Sequence, residues 1–295
     1  MKYLIQNRDG YQKGIDRIIS QCHHITLQHL SREKNIHHHI HQARRHLKIL
    51  RSALRIIRYD ISSQEFKFEN QFYRNIARSL SQARDSAAIV ETINDLMENK
   101  PKSASLAILS QLKNEACSTR NNYLAENNKV ISGAACLMKN HPIITNDLKW
   151  GVDYKLHLSS ALKTSYRQAS ESHQICLNDI SDTNIHEYRK KAKHFRYQLM
   201  ILQNIWPPMF QMLEHEFHKL TYFLGQANNL TVLQNYTAQS SILEIKGIEK
   251  FKVKLEKSKI KLAQSALESG HRLFAETNGQ FGKRIQVYVN HWKAL

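Results

Sequence analysis

His41-Gln42-Ala43-Arg44-Arg45-His46-Leu47-Lys48-Ile49-Leu50-Arg51-Ser52-Ala53-Leu54-Arg55-Ile56-Ile57 carries two patterns at once. Led by Ile36, the residues Ala43, Leu47, Leu50, Leu54 and Ile57 form one apolar stripe at helical spacing. Interleaved with it, His41, Arg44, Lys48 and Arg51 follow H-x2-R-x3-K-x2-R. A helix turns about 100° per residue, so these four side chains fall within about 80° of arc, roughly 110° around from the apolar stripe. Arg55 extends the basic row. The segment is therefore expected to dock by one face and present a cationic ridge beside that contact.

The pattern occurs twice. His186, Arg189, Lys193 and Arg196 repeat it residue for residue, 145 positions later, beside a second apolar stripe of Tyr188, Ala192, Phe195, Leu199 and Leu202. A further likeness follows each copy. Leu80-Ser81-Gln82-Ala83 parallels Leu224-Gly225-Gln226-Ala227, the first continuing with Arg84-Asp85 and the second with Asn228-Asn229. The halves thus read as related units. A single basic face is most simply a solvated one. Like charges on one helix face repel, however, and a solvated face is not held to a spacing. Two identical copies point instead to a row of anions. Arg supplies a planar fork for phosphate, Lys a mobile point charge, and His a donor whose charge rises beside an anion. Two such ridges could face each other across the junction of the halves.

Helical periodicity runs through most of the chain, and nine Gly and four Pro are too few for the turns of an all-β fold. The breakers divide it. Asp60–Ser63 closes one helix, and Ser62 with Glu65 forms a capping box for the next. Pro101 marks a turn, and Asn184 with Glu187 offers a cap after the polar run 178–184. Pro207 and Pro208 stop the helix before them, and Gly247 and Gly279 mark late turns. Lys139 to Gly151 is the strongest mid-chain boundary. The expectation is an all-α protein of two four-helix bundles, about four helices on each side of that boundary.

The formal charge of +18, from 43 Lys and Arg against 25 Asp and Glu, repels itself unless counterions or a polyanion compensate it; the candidate partners are nucleic acid, an anionic membrane surface or a phosphate polymer, and the alternative is a merely basic, soluble protein. Cys22, Cys117, Cys136 and Cys176 are widely spaced, which fits buried free thiols rather than a zinc or disulfide framework. The N-terminal stretch has no apolar core of signal-peptide type, and no window has the apolar length of a membrane span. The chain therefore reads as a soluble, cytoplasmic protein.

The runs His41 through Arg55 and His186 through Tyr197 resemble the two signature helices of CHAD domains (conserved histidine α-helical domains). Arg84-Asp85, the 224–229 element, Tyr166-Arg167, and Arg272-Leu273-Phe274-Ala275 through Trp292 are similar to other elements of that family, so the resemblance spans nearly the whole chain. It implies a single domain over residues 8–295, made of two bundles related by a pseudo-twofold axis, about 8–145 and 146–295. It also implies a basic channel between them that binds inorganic polyphosphate, with a place at polyphosphate granules. Carried over by motif, the binding residues are His41, Arg44, Lys48, Arg51 and Arg55, with His186, Arg189, Lys190, Lys193 and Arg196. Arg45, Arg74, Arg78, Arg167 and Lys219 join them from neighbouring positions. Asn229 departs from the family, where an acid is common, and Asp85 is read as a structural ion-pair partner.

Other signals point to binding without catalysis. His37 and His41 stand one helical turn apart, but no Glu or Cys completes a metal shell, and no metal or other cofactor is expected. Glu214-x-Glu216 resembles half of a triphosphatase signature, yet His218 takes the Lys position and the segment reads as helix. No Gly-rich phosphate loop or nucleophile elbow is present, so the chain is not expected to be an enzyme. A nucleic-acid binder remains the rival, although Tyr59, Tyr73, Tyr123, Tyr154 and Tyr166 are scattered rather than set as a stacking platform. A scaffold for acidic proteins is a third reading.

Overall fold

The two apolar stripes become the buried faces of two helices, and the remaining elements are arranged around them. The computed structural model describes residues 3–6, 9–99, 103–144, 153–240 and 247–292. Eleven α-helices lie within these residues, which contain no strand. The first half holds α1 (Tyr11–Leu30), α2 (Ile36–Ile56), α3 (Ser63–Ser79), α4 (Ser81–Glu98), α5 (Ser103–Glu126) and α6 (Asn128–Asn140). The second holds α7 (Tyr154–Asn178), α8 (Asp182–Ile201), α9 (Pro207–Gln239), α10 (Ile248–Leu273) and α11 (Asn278–His291), with a 3-10 turn at Gln203–Ile205. This is six helices on the first side and five on the second rather than four on each, and the first has one more because the chain breaks at Leu80 between α3 and α4, whereas α9 runs unbroken.

Ala43, Leu47, Leu50, Leu54 and Ile57 on one side, and Tyr188, Ala192, Phe195, Leu199 and Leu202 on the other, are all buried as their spacing predicts. They belong to one continuous apolar core that joins both halves. α2 packs on α1 and α3, α8 packs on α7 and α9, and α2 and α8 pack on each other. The aromatic side chains concentrate in the second half, where Tyr166 and Phe281 stack with centroids 4.0 Å apart and Phe195 meets Phe217 edge-on at 5.0 Å. A second, smaller core forms where α4 and α5 meet α9 and α10, through Ile93, Leu112, Leu233 and Leu255. The N-terminal segment ties to the second half: Ile5 N–H donates to Ile201 O at 2.9 Å, and Asn204 Nδ2 donates to Ile5 O at 2.8 Å.

The local signals hold unevenly. Ser62 and Glu65 form the expected capping box on α3, with the Ser62 hydroxyl accepting from Glu65 N–H at 3.1 Å. Asn184 is not the cap of α8. Ser181 is, and Asn184 lies in the first turn, donating to the Asp179 carboxylate at 2.8 Å. Gly247 sits at positive φ and caps α10, whereas Gly279 lies inside α11, which Thr277 and Gln280 cap. Pro101, Gly151 and the junction between the halves fall outside the described residues. All four cysteines are free, with Cys22 and Cys176 buried; Cys136 is exposed and Cys117 half-buried, so burial does not extend to those two. No described helix is long and apolar enough to cross a membrane.

Gly270 marks the closest approach of α10 to its neighbours. A Cβ there would collide with the His173 ring and stand 2.6 Å from Tyr188 Oη, both in the packed core. Gly133 in α6 has open space around it. Gly270→Ala is therefore expected to destabilise the protein by roughly 1–3 kcal/mol, as overpacking does. Gly133→Ala should be neutral or add about 0.5–1 kcal/mol of helix preference. Urea denaturation of the two variants checks this, and similar midpoints would contradict it.

Candidate functional site

The two motif copies meet. α2 and α8 contact each other at Ser52 and His194, where Ser52 Oγ lies 3.0 Å from His194 Nδ1 and donates to Lys48 O at 2.8 Å. His194 is buried, and burial beside Arg55 and Arg51 holds its imidazole well below the usual histidine range. A neutral ring with its proton on Nδ1 completes the hydrogen-bond chain. Around this contact the basic side chains of both helices converge along one seam.

Flanking helices hold them. From α3, Asn70 Oδ1 accepts from Arg51 Nε at 3.1 Å and the Ala77 carbonyl accepts from Arg44 Nη1. Arg55 Nη1 turns back onto Arg51 O at 2.7 Å. From α9, Glu214 Oε1 accepts from Arg196 Nε at 2.7 Å, and Asn228 Oδ1 lies 2.9 Å from His186 Nδ1. Arg51 and Arg196 occupy corresponding motif positions and are oriented alike, but an amide holds the first and a carboxylate the second. The first ridge thus keeps a charge that the second has largely neutralised.

Arg84, from α4, stands among both ridges. Its charge acts on His41, Arg44, Lys48, Arg189 and Lys193, while its Nη2 donates to Glu91 Oε2 at 2.9 Å. It was absent from the residues assigned by motif, although its place in the duplicated 80–85 element was a usable signal. His194 gave no such signal, because it lies off the basic arc. Asp85 is within electrostatic reach of Arg44, Arg84, Lys48 and His186, yet makes no ion pair within 4.0 Å among the described residues. The expected structural ion pair is therefore not formed: Asp85 is exposed and faces several cations together rather than one.

The crowding shows in the protonation equilibria. Burial, then the charge of Lys193, pulls Lys48 well below the ordinary lysine value. Burial, then Arg189 and Arg196, pushes Lys193 down to about 7. His41 falls to about 4 through desolvation and the nearby Arg84. Arg51 and Arg55 are lowered to about 10 and about 9, chiefly by burial, and stay cationic. Three guanidinium N–H groups, Arg44 Nε, Arg84 Nη1 and Arg189 Nε, are buried with no acceptor among the described residues. Such donors normally have partners, and three of them on one seam suit it to an oxyanion.

The other assigned residues divide. Arg74 faces the ridge, its charge acting on Arg51 and Arg55, and Arg78 follows it one turn along α3. Arg45 lies at the opposite end, near Lys193 and Tyr197. Lys190 is on the rim, paired with Glu187 one turn away. Arg167 and Lys219 do not join the seam. Arg167 is exposed on α7 with Glu171 3.9 Å away. Lys219 pairs with Glu216 at 2.8 Å and borders a separate cavity of about 740 Å³ between α9, α10 and α11. The reason is helical phase: Glu214, His218 and Asn228 mark the face of α9 turned to α8, and Lys219 is one residue past it. Glu214 and Glu216 consequently point to different places. In the histidine cluster, His29 Nδ1 and His39 Nδ1 lie 2.9 Å apart and His46 stacks on His29, and no group of three or more His, Cys, Asp or Glu among the described residues is placed to hold a metal.

A family model for the CHAD domain matches residues 17–238, about three quarters of the chain, and the protein belongs to that family. The fold is shared with the crystal structure of the CHAD domain from the plant Ricinus communis, with a TM-score of 0.58 over 99% of this chain and 95% of that one, at 14% identity. Among curated proteins no sequence matches this chain.

The seam has a consequence for stability. Lys48 and Lys193 are held below the unfolded value of 10.5, so above about pH 7 the unfolded chain binds more protons than the folded one. Stability should therefore rise with pH from 7 to 9, the reverse of a lysine held by an acid. The lowered histidines act below this range, as does Asp16, which burial raises to about 6. Lys193→Met should stabilise the protein by roughly 1–4 kcal/mol at pH 6.5 and low salt, as removal of an uncompensated buried charge does. It should also flatten the rise with pH. Urea midpoints against pH for both proteins test this, and a midpoint falling from pH 7 to 9 would contradict it.

Proposed function

We propose that this chain binds inorganic polyphosphate along the cationic seam between α2 and α8, as a binding protein and not an enzyme. One observation carries the reading: the buried guanidinium N–H donors Arg44 Nε, Arg84 Nη1 and Arg189 Nε, without an acceptor among the described residues and gathered from three helices where the two motif copies meet. Phosphate oxygens satisfy such donors, and a chain of phosphates spaces them along a row. Membership of a family linked to polyphosphate binding supports the same ligand. Within the seam, His41, Arg44, Lys48, Arg51, Arg55, Arg74 and Arg84 would act with His186, Arg189, Lys193 and Arg196. Among the described residues no group of three or more His, Cys, Asp or Glu is placed to hold a metal, which accords with holding phosphate rather than cutting it. Such binding would bring the protein to polyphosphate granules in a cytoplasmic setting.

Nucleic acid fits the seam less well. Tyr73 and Tyr166 are buried in the core, Tyr154 stacks on Tyr11 at 5.0 Å, and Tyr59 lies beside Arg58, so these rings do not form a platform for bases.

Binding should weaken steeply with salt, with a log–log slope near −0.7 per neutralised phosphate, the value for a flexible single strand. Arg44→Ala with Lys48→Ala should weaken binding and flatten that slope by about two contacts, and Arg189→Ala with Lys193→Ala should do nearly the same. Combining all four should remove most of the affinity, since both ridges grip one ligand. Lys252 and Lys257 on α10, away from the seam, serve as the control pair. The measurement is affinity for long-chain polyphosphate across a salt series, with single-stranded DNA and heparin at matched charge as competitors. Equal losses in the control pair would reduce the protein to a diffuse polyanion binder, and preference for DNA would favour the nucleic-acid reading.

A further inference from the structure

Lys48 and Lys193 hold corresponding places in the two motif copies, and the packing of α2 on α8 brings them together. Both are half-buried, and neither ammonium has a hydrogen-bond acceptor or an ion-pair partner among the described residues. The charges facing Lys193 come from every helix around it: Arg189 and Arg196 on its own helix, Lys48, Arg45 and His41 on α2, Arg84 on α4, and His218 on α9. Lys48 meets Arg44 on its own helix, Lys193, Arg189 and His194 on α8, and Arg84 on α4. Against these stand three carboxylates: Asp85 on α4, Glu91 on α4, which accepts from Arg84, and Glu214 on α9, which accepts from Arg196. Arginines cannot relieve such crowding by losing protons near neutral pH, but lysines can.

We propose that Lys48 and Lys193 form a proton-loading site, so that the seam takes up its polyanion and protons as joint ligands. The inference rests on the polyphosphate reading above and adds a second species to it. In the free protein the lysine pair sheds protons to lessen repulsion, and Lys193 is half-protonated near neutral pH. A row of phosphate oxygens laid over the seam reverses the sign of the local field. The amines then regain their protons and become full ammonium donors to the ligand. The proton goes from solvent to a lysine nitrogen, and no bond in the polyanion is made or broken. By linkage, each proton gained on binding makes affinity fall by up to about tenfold per pH unit above the free-state titration point. Below it, the site is already loaded and affinity levels off. Arginine at either position would keep the charge and remove the coupling.

The test is titration calorimetry of the full chain with long-chain polyphosphate at constant ionic strength, at pH 6, 7.5 and 8.5, in buffers of different ionisation enthalpy. The wild type is expected to take up about one proton or more per bound segment at pH 8.5 and progressively less toward pH 6, with affinity falling from pH 7.5 to 8.5. Lys193→Arg should bind comparably at pH 6 but take up about one proton fewer at pH 8.5, and Lys48→Arg should provide the same readout independently. The ligand's end groups titrate alike with all three proteins, so the difference isolates the lysines. Binding without proton uptake, or equal uptake by wild type and both variants, would overturn the proton-loading site while leaving polyphosphate binding intact. No binding by the wild type at any of these pH values and at low salt would instead overturn the polyphosphate reading and, with it, this one.

Discussion

The fold is organised around a contact that electrostatics opposes. α2 and α8 each carry an apolar stripe that must be buried and a basic row beside it, so packing the two helices through adjacent faces forces the two rows together. Burying side chains such as Leu47, Leu50, Phe195 and Leu199 is worth roughly 1.5–3 kcal/mol each. That burial opposes the repulsion of the partly screened cations, and because it extends through one core continuous between both halves it sets how the helices pack. The hydrophobic stripes therefore dictate the geometry, and the charge row accepts it. The unusual properties of the seam follow: lysines pushed toward the neutral form, a histidine held below its usual range at Ser52, and guanidinium N–H groups without an acceptor among the described residues.

The surrounding helices distribute that strain unequally. In the first half an amide and a backbone carbonyl orient Arg51 and Arg44, and both leave the cations uncancelled. In the second half Glu214 holds Arg196 and so offsets its charge. The two ridges correspond in spacing but not in field: Glu214 pairs directly with Arg196 on the second, whereas Asp85 faces Arg44 and Lys48 of the first without a direct pair. Asn228 in place of a charged residue opposite His186 adds to the difference, since its counterpart in the duplicated element is Arg84.

Much of this was legible in the sequence, and the boundary between what was and was not is physical. Periodicity revealed the stripes on α2 and α8 because a helix converts spacing directly into facing. The repeated motif identified the ridge because charge at fixed phase has no structural reason to recur. Arg167 and Lys219 lie away from the seam for the complementary reason: they are on α7 and α9, whose rotation about their own axes is set by tertiary packing that no local pattern encodes. The same holds for the second core, where α4 and α5 of one half meet α9 and α10 of the other. His194 escaped notice because it looks like an extra basic residue, and only its contact with Ser52 shows it to be the neutral linchpin of the helix crossing. Asn184 was outcompeted as a cap by Ser181, three residues earlier and equally suited by chemistry.

The second core gives the seam a mechanical property. α4 and α9 both run past the charged region, bearing Arg84 and Asn228, and lock together immediately beyond it through Val90, Ile93, Leu230 and Leu233. On the other side the N-terminal segment is laced to Ile201 and Asn204. The seam is thus a beam pinned at both ends, and mutual repulsion cannot relax by splaying the halves apart. A framework clamped in this way meets its ligand already shaped, so little ordering remains to be done on contact, and encounter with a flexible anionic thread becomes a matter of laying it into a rigid track.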